Sequence, residues 1–318
     1  AASDVYKRQA LLLCAFTNFI CAQEKDFQFS FITPIGTNGL SSGQTTNKVS
    51  VNLLGGYSYG NTAFELGGLY NINTNLTKGL QIAGIANYSG NSMNASQIAG
   101  IANIAKKGNT PLQIGGIANI ADKVGGLQLA GIVNVAKQVS GVQVGLVNIT
   151  DECDGVAVGL INIVKKNGKH EFEISFSESL NTAVSFKLGT DKLYTIFSGG
   201  VKYISSPTEY AAGIGFGTHI NWNKEWANQI ELIGYGLTKN GSFDYDGVNM
   251  LAQLRLPVSK QFSKHFKVFA GPVINMTITD KDIINENDES LSPWTMWESD
   301  KGDVNLKGWI GLVAGVRF

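Results

Sequence analysis

Cysteine, proline and charge are all scarce in this sequence, and each shortage excludes something. The three cysteines, Cys14, Cys21 and Cys153, are too few and too scattered for a disulfide framework or a cysteine-rich metal centre. Six prolines and 16% charged residues, against 43% hydrophobic ones, exclude a proline-rich linker and a disordered chain. The 25 basic residues balance the 25 acidic ones, so no overall positive field points to nucleic acid. No apolar run is long enough for a transmembrane helix, which needs roughly 18 residues or more. The spacings HExxH, CxxC, the phosphate-binding P-loop and the EF-hand are absent, and no cofactor is expected. Glycine is abundant, with 38 residues in 318, more than an ordinary α/β enzyme carries.

The first nine residues, Ala1–Gln9, resemble a translated sequencing-adapter scar and are set aside from fold reasoning. Residues 10–22 form a short apolar stretch that fits a secretory signal peptide cleaved after Ala22. Cys14 and Cys21 then leave with it, and Cys153 remains alone. Asn18, Phe19 and Ile20 lack the small residue that a lipid-modified Cys21 would normally follow.

The centre of the chain is a repeat. GLQIAGIAN (Gly79–Asn87) returns as SQIAGIAN, LQIGGIAN, LQLAGIVN, VQVGLVN and VAVGLIN, with a divergent first copy in ELGGLYN. The marker residues are Asn71, Asn87, Asn103, Asn119, Asn134, Asn148 and Asn162. Each unit is too short for a helix and a return, and its charges sit in the connectors, so the units are expected to be strands. Two architectures compete. Continuous antiparallel strands of a membrane barrel would need alternating short and long connectors, which are not seen. The QIAGIAN copies also hold one residue more than the QVGLVN copies, and that insertion would flip every later side chain of a straight strand. A β-solenoid with a corner at the glycine absorbs the difference and is favoured. It places Leu80, Ile82, Ile85 and Asn87 inward, as Val142, Val144, Leu146 and Asn148 in the shorter form. Stacked identical amides about 4.8 Å apart would then form a structural ladder. The competing role for the same amides is a ligand-binding polar stripe.

From about residue 170 the pattern changes to period two. Leu306, Ile310, Leu312, Ala314, Val316 and Phe318 share one face, with Lys307, Trp309 and Arg317 on the other. Eight strands are expected, at 170–178, 181–189, 193–204, 210–222, 227–237, 248–258, 264–278 and 306–318. Glycines and scattered charges line the polar face, and aromatics such as Tyr210, Trp222 and Trp226 lie near strand ends. Strands of this length and pattern suit an antiparallel outer-membrane-type barrel. Segments 27–35 and 48–58 alternate too and are expected to pair as a hairpin that completes the barrel.

The fold expected is therefore all-β: a Gly-rich β-repeat array with an antiparallel barrel. Its parts are 23–60 (N-terminal β-hairpin), 61–165 (repeat array) and 166–318 (barrel strands). FSFITPIGTNG (Phe29–Gly39), the GLQIAGIAN-type repeats and VGLINIVKKNGKHEFEISFSE (Val158–Glu178) resemble a family of uncharacterised surface-repeat proteins of Bacteroidetes-type outer membranes. A closing amphipathic strand with Phe318 last also resembles the signal read in outer-membrane barrel assembly. The resemblance implies an outer-membrane location with lipid as a partner, and brings no activity. Candidate partners for the array are a glycan, an envelope polymer or a host-surface protein. A pore for small solutes is the alternative.

Chemistry is nearly absent from the pattern. Gly39-Leu40-Ser41-Ser42-Gly43 matches GxSxG but lies in a turn with no following helix, so Ser41 is not expected to be a nucleophile. His170, His219 and His265 are far apart in sequence; the last two fall on polar faces, where a lumen role is expected. The acidic segment Asp280–Asn305 lacks ordered calcium-ligand spacing. No catalytic or metal residue is assigned.

Overall fold

The computed structural model describes residues 23–204, 208–238, 242–243, 247–263, 265–282, 291 and 294–318. The expected adapter scar and signal peptide, residues 1–22, lie outside the described residues. Among the described residues the chain is all-β apart from one 3-10 turn, Gly39–Gln44. Two compact units divide it, Ala1–Asp122 and Lys123–Phe318.

In the first unit the strands stack in parallel, coil on coil. One limb runs in register from Phe27 to Val49, Phe64, Leu80 and Ser96. The other runs from Gly55 to Tyr70, Ala86 and Ala102. This is β-solenoid-like stacking, with each repeat a two-limbed coil, and it replaces the continuous-strand alternative. The expected N-terminal hairpin does not form: Gln23–Ile32 pairs in parallel with Thr45–Ser58. Those segments are early coils, and their antiparallel-looking alternation arises because a solenoid limb also has a period of two. The turn between limbs is fixed by glycine. A Cβ at Gly84, Gly100 or Gly116 would overlap the carbonyl oxygen of the glycine one coil earlier.

The second unit holds its own coils. Leu127, Val142 and Val156 align on one limb, and Val133, Val147 and Ile161 on the other, all in parallel. The missing residue of the short copies is taken out at the corner: Leu80–Ala83 precedes the corner in the long form, Val142–Val144 in the short one.

The facing of the side chains corrects the sequence reading. Gln81, Ala83 and Asn87 point inward, while Leu80, Ile82 and Ile85 lie on the outside, as do Val142, Val144 and Leu146. Only the asparagines were placed on the correct side. The narrow coil interior takes small side chains and amides that bond to one another. The branched aliphatics are left on the outer surface.

After the coils, the second unit forms an antiparallel sheet. Lys169–Ser177 pairs with Thr182–Gly189, which pairs with Tyr194–Lys202, and so on through Glu209–Asn221 and Trp226–Leu237. Asn249–Arg255 and Val258–Ser263 share the next place, interrupted at Leu256-Pro257, as the missing proline N–H requires. Phe266–Asp280 and Val304–Arg317 follow, and the last strand pairs back onto the first at Phe176↔Ala314. The sheet therefore closes on itself without the N-terminal segment. Its strands lie close to the eight ranges read from the sequence, with Trp297–Lys301 added along the last one.

Candidate functional site

The repeated asparagines form hydrogen-bonded columns. In the first unit Asn71 Nδ2 donates to Asn87 Oδ1 (3.0 Å), Asn87 to Asn103 (3.0 Å) and Asn103 to Asn119 (2.9 Å). In the second, Asn134 donates to Asn148 (3.0 Å) and Asn148 to Asn162 (2.8 Å), whose amide reaches Thr195 Oγ1 at 3.2 Å. A second amide contact goes to a backbone carbonyl, as where Asn87 also donates to the Ile98 carbonyl at 2.8 Å. All seven are buried. A ligand-binding stripe would present its amides to the exterior, whereas here they are turned inward and bonded to one another.

A glutamine column runs the opposite way. Gln113 Nε2 donates to Gln97 Oε1 (2.7 Å), Gln97 to Gln81 (2.8 Å), and Gln81 to Glu65 Oε2 (2.9 Å). The N–H ends of this chain thus converge on one carboxylate, which also receives Asn73 at 2.7 Å and Asn52 at 3.3 Å. Burial raises the Glu65 carboxyl above its ordinary value, and the three amide donors pull it part of the way back.

The closed sheet has a different interior. Period-two alternation turns Glu171, Glu173, Lys187, Glu231, Arg255 and Arg317 inward, and all are buried. Lys187 Nζ lies 2.5 Å from both Glu173 and Glu231. Arg317 Nε donates to Glu173 Oε2 at 2.7 Å and its guanidinium stacks 4.0 Å from the centre of the Phe269 ring. Arg255 meets Glu173 at 3.4 Å and donates to Tyr235 Oη at 2.8 Å. Tyr194 donates to Glu231 at 2.8 Å. Three cations therefore share two carboxylates, and aromatic rings fill the space around them. Low dielectric strengthens each of these contacts, and the same dielectric makes an unpaired member costly.

At one end of the closed sheet lies a polar cavity of about 290 Å³. It brings together His170, His219 and His265, which the sequence separates widely, with Lys169, Glu171 and Lys267. Lys169 Nζ is 3.2 Å from Glu171 and 3.4 Å from His219 Nδ1; Gln229 Nε2 is 3.0 Å from the same ring nitrogen. His170 Nε2 is instead 2.8 Å from the Val164 carbonyl. No cluster of three or more His, Cys, Asp or Glu suited to a metal occurs among the described residues.

Ser41 sits in the 3-10 turn, where its hydroxyl donates to the Asn38 carbonyl at 2.7 Å. That is not the strand-to-helix elbow a hydrolase serine needs. Of the acidic segment, Glu286, Asp288 and Glu289 lie outside the described residues. Asp280 accepts from Val248 N at 2.7 Å, and Asp300 and Glu298 both accept from Asn305 at 2.8 Å.

The sequence pattern places Arg317 on a polar face but does not show that it meets Glu173 and Glu231, or that Lys187 joins the same two carboxylates. The available signal was the alternation HEFEISF and AVSFKLG, in which isolated charges sit between outward aromatics. Alternation gives the face, but it does not say which charges meet across the sheet. Comparison with known proteins finds no matching family model, no similar curated protein and no similar solved structure.

Proposed function

We propose that this chain is a non-enzymatic surface protein of a bacterial outer membrane, anchored by the closed antiparallel sheet, with the stacked array as a structural or interaction surface. The observation that carries this reading is the inverted polarity of the closed sheet. Phe172, Phe186, Phe216, Leu232, Ile274 and Leu312 are exposed on its outside, while its ions face inward. An exterior of this kind is costly in water and natural in hydrocarbon, where a closed sheet leaves no unpaired edge. Exposed Tyr210, Trp222 and Trp226 at strand ends fit interfacial girdles. The array surface leaves room for a glycan, envelope or host-surface partner.

A pore for small solutes is the weaker reading. The interior of the closed sheet is occupied by the Lys187–Glu173–Arg317 network and Trp309, as in small barrels whose lumen is filled by side chains. The test is gel migration of the outer-membrane fraction with and without heating, together with surface proteolysis and planar-bilayer conductance. We expect heat-modifiable migration and no conductance. A chain that stays monodisperse without detergent overturns the anchor, and steady single-channel currents overturn the filled lumen.

A further inference from the structure

We infer that the corner edge of the repeat coils is itself a lipid-binding surface, built to enter the hydrocarbon of a single leaflet. The inference rests on the membrane reading above and deepens it, because it names the partner of the array surface. It holds for the coils of each unit taken separately.

The corners are uniformly aliphatic. Ile85, Ile101 and Ile117 are 42%, 42% and 44% exposed in the first unit, and Ile132, Leu146 and Leu160 are 49%, 49% and 37% exposed in the second. The outward positions of both limbs next to them, from Leu80 to Ile163, are aliphatic or alanine apart from Tyr88 and Ser96. The apolar zone then ends at the same distance in every charged coil. Lys106, Asp122, Lys137, Asp151 and Lys165 each fall five residues after their corner aliphatic. At about 3.3 Å per strand residue, five residues make a band roughly 16 Å deep. Half of a hydrocarbon core about 30 Å thick has nearly the same depth. Chance patches do not end in charge at a fixed depth, coil after coil.

The backbone of the corner gives a second, independent argument. Hydrocarbon tolerates only polar groups that are satisfied within the protein. Here the corner amides bond from coil to coil. Ile85 N donates to Leu69 O at 2.7 Å, Ile101 N to Ile85 O at 3.0 Å and Ile117 N to Ile101 O at 2.9 Å. In the second unit Leu160 N donates to Leu146 O at 3.0 Å.

Apart from Tyr88 and Ser96, the band also lacks what a protein or sugar partner would use. Its corner row carries no Trp, Tyr or Arg, the residues that anchor most protein interfaces. It is smooth, branched and chemically uniform, which suits fluid acyl chains. Lys106 and Lys107, exposed at its rim, are placed to reach phosphate headgroups.

The test uses the full chain, with Cys14→Ser, Cys21→Ser and Cys153→Ala, reconstituted in phosphatidylethanolamine–phosphatidylglycerol vesicles. A nitroxide is attached singly at Ile101→Cys, Ile117→Cys, Leu146→Cys, Lys107→Cys or Leu232→Cys, and collision with oxygen is compared with collision with a water-soluble nickel chelate. We expect a several-fold higher oxygen-to-nickel ratio at the three corners than at Lys107→Cys. Corner labels as open to nickel as the Lys107 label, with the Leu232 label in lipid, overturn the inference and leave the barrel anchor standing. A Leu232 label in water with corner labels in lipid does the opposite. Corner labels shielded from both agents and broadened by neighbouring spins mean that a second copy covers the edge, which also overturns the inference.

Discussion

The stacked coils and the closed sheet both bury polar side chains and expose large apolar ones, but they bond their buried polar groups by different means. In the coil columns most of the interior polar groups are neutral amides bonded to their equivalents one turn away, as from Asn87 to Asn103. Repetition alone supplies the partner, since any residue kept at one register position meets itself. In the closed sheet the partners are unlike and non-repeating: Lys187, Arg255 and Arg317 gather around Glu173 from three other strands. A repeating interior degrades by one rung when a member is lost. A converging one loses several contacts at once, and leaves charge unpaired.

The largest effect that would test this difference is at Glu173. Glu173→Gln leaves three buried cations with only Glu231, and breaking such a network costs about 3–5 kcal/mol. Urea unfolding in detergent, followed by gel mobility, measures it. Arg317→Met in the same chain should restore part of the loss, because it removes one of the stranded charges. Equal losses for the single and double variants would mean that charge balance is not what holds the interior.

Next in size is a single rung. Asn103→Ala removes one acceptor and one donor of the column and should cost about 1–3 kcal/mol in the same measurement. A loss as large as that of Glu173→Gln would show that the column is cooperative rather than rung by rung.

Glu65 is the one carboxylate set into the amide columns described here, and it gives the array a pH signature. Its carboxyl is raised by burial above the ordinary 4.5, so the protonated form is the one the fold favours. That contribution is fully present below the unfolded value and is lost as pH rises through the folded one. We expect the unfolding midpoint to fall as pH rises across that window and then level off. Glu65→Gln should abolish the fall. A wild-type profile that is flat there would mean that the three amide donors offset the burial completely.

The smallest effect belongs to the connectors. Lys165 lies 2.8 Å from Asp151 and holds its carboxyl below the ordinary value, but both side chains are open to solvent. Solvent screens such a pair, so Lys165→Ala should leave the midpoint unchanged within error. The little that the pair adds is present above the unfolded value of Asp151 and is lost as pH falls through the folded one.

Strand positions were legible because they depend on local periodicity. The eight ranges from 170 onward and the outward faces of Ile310 and Leu312 follow from residues two apart. The solenoid corner was legible from arithmetic, since an odd difference in repeat length has to be absorbed somewhere. The N-terminal hairpin was misread because parallel and antiparallel limbs share one period, and pairing direction is a property of two distant segments. The facing of Gln81 and Ile82 was misread because aliphatic residues were assumed to seek the interior. The narrow coil interior instead holds small side chains and amides bonded to one another, which leaves the larger aliphatics on the outer surface.

The sequence by itself determined the all-β class, the coil length and its corner, and the alternation that sorts polar from apolar faces, because each of these is set by spacings within a few residues. Only the tertiary structure decided that Phe27–Phe31 stacks in parallel on Val49–Leu53, that the amides rather than the aliphatics fill the coils, and that Glu173, Lys187, Glu231 and Arg317 meet at one point. Those outcomes depend on which distant strands become neighbours, and so on which buried polar groups come within reach of one another. No local pattern of residues encodes that condition.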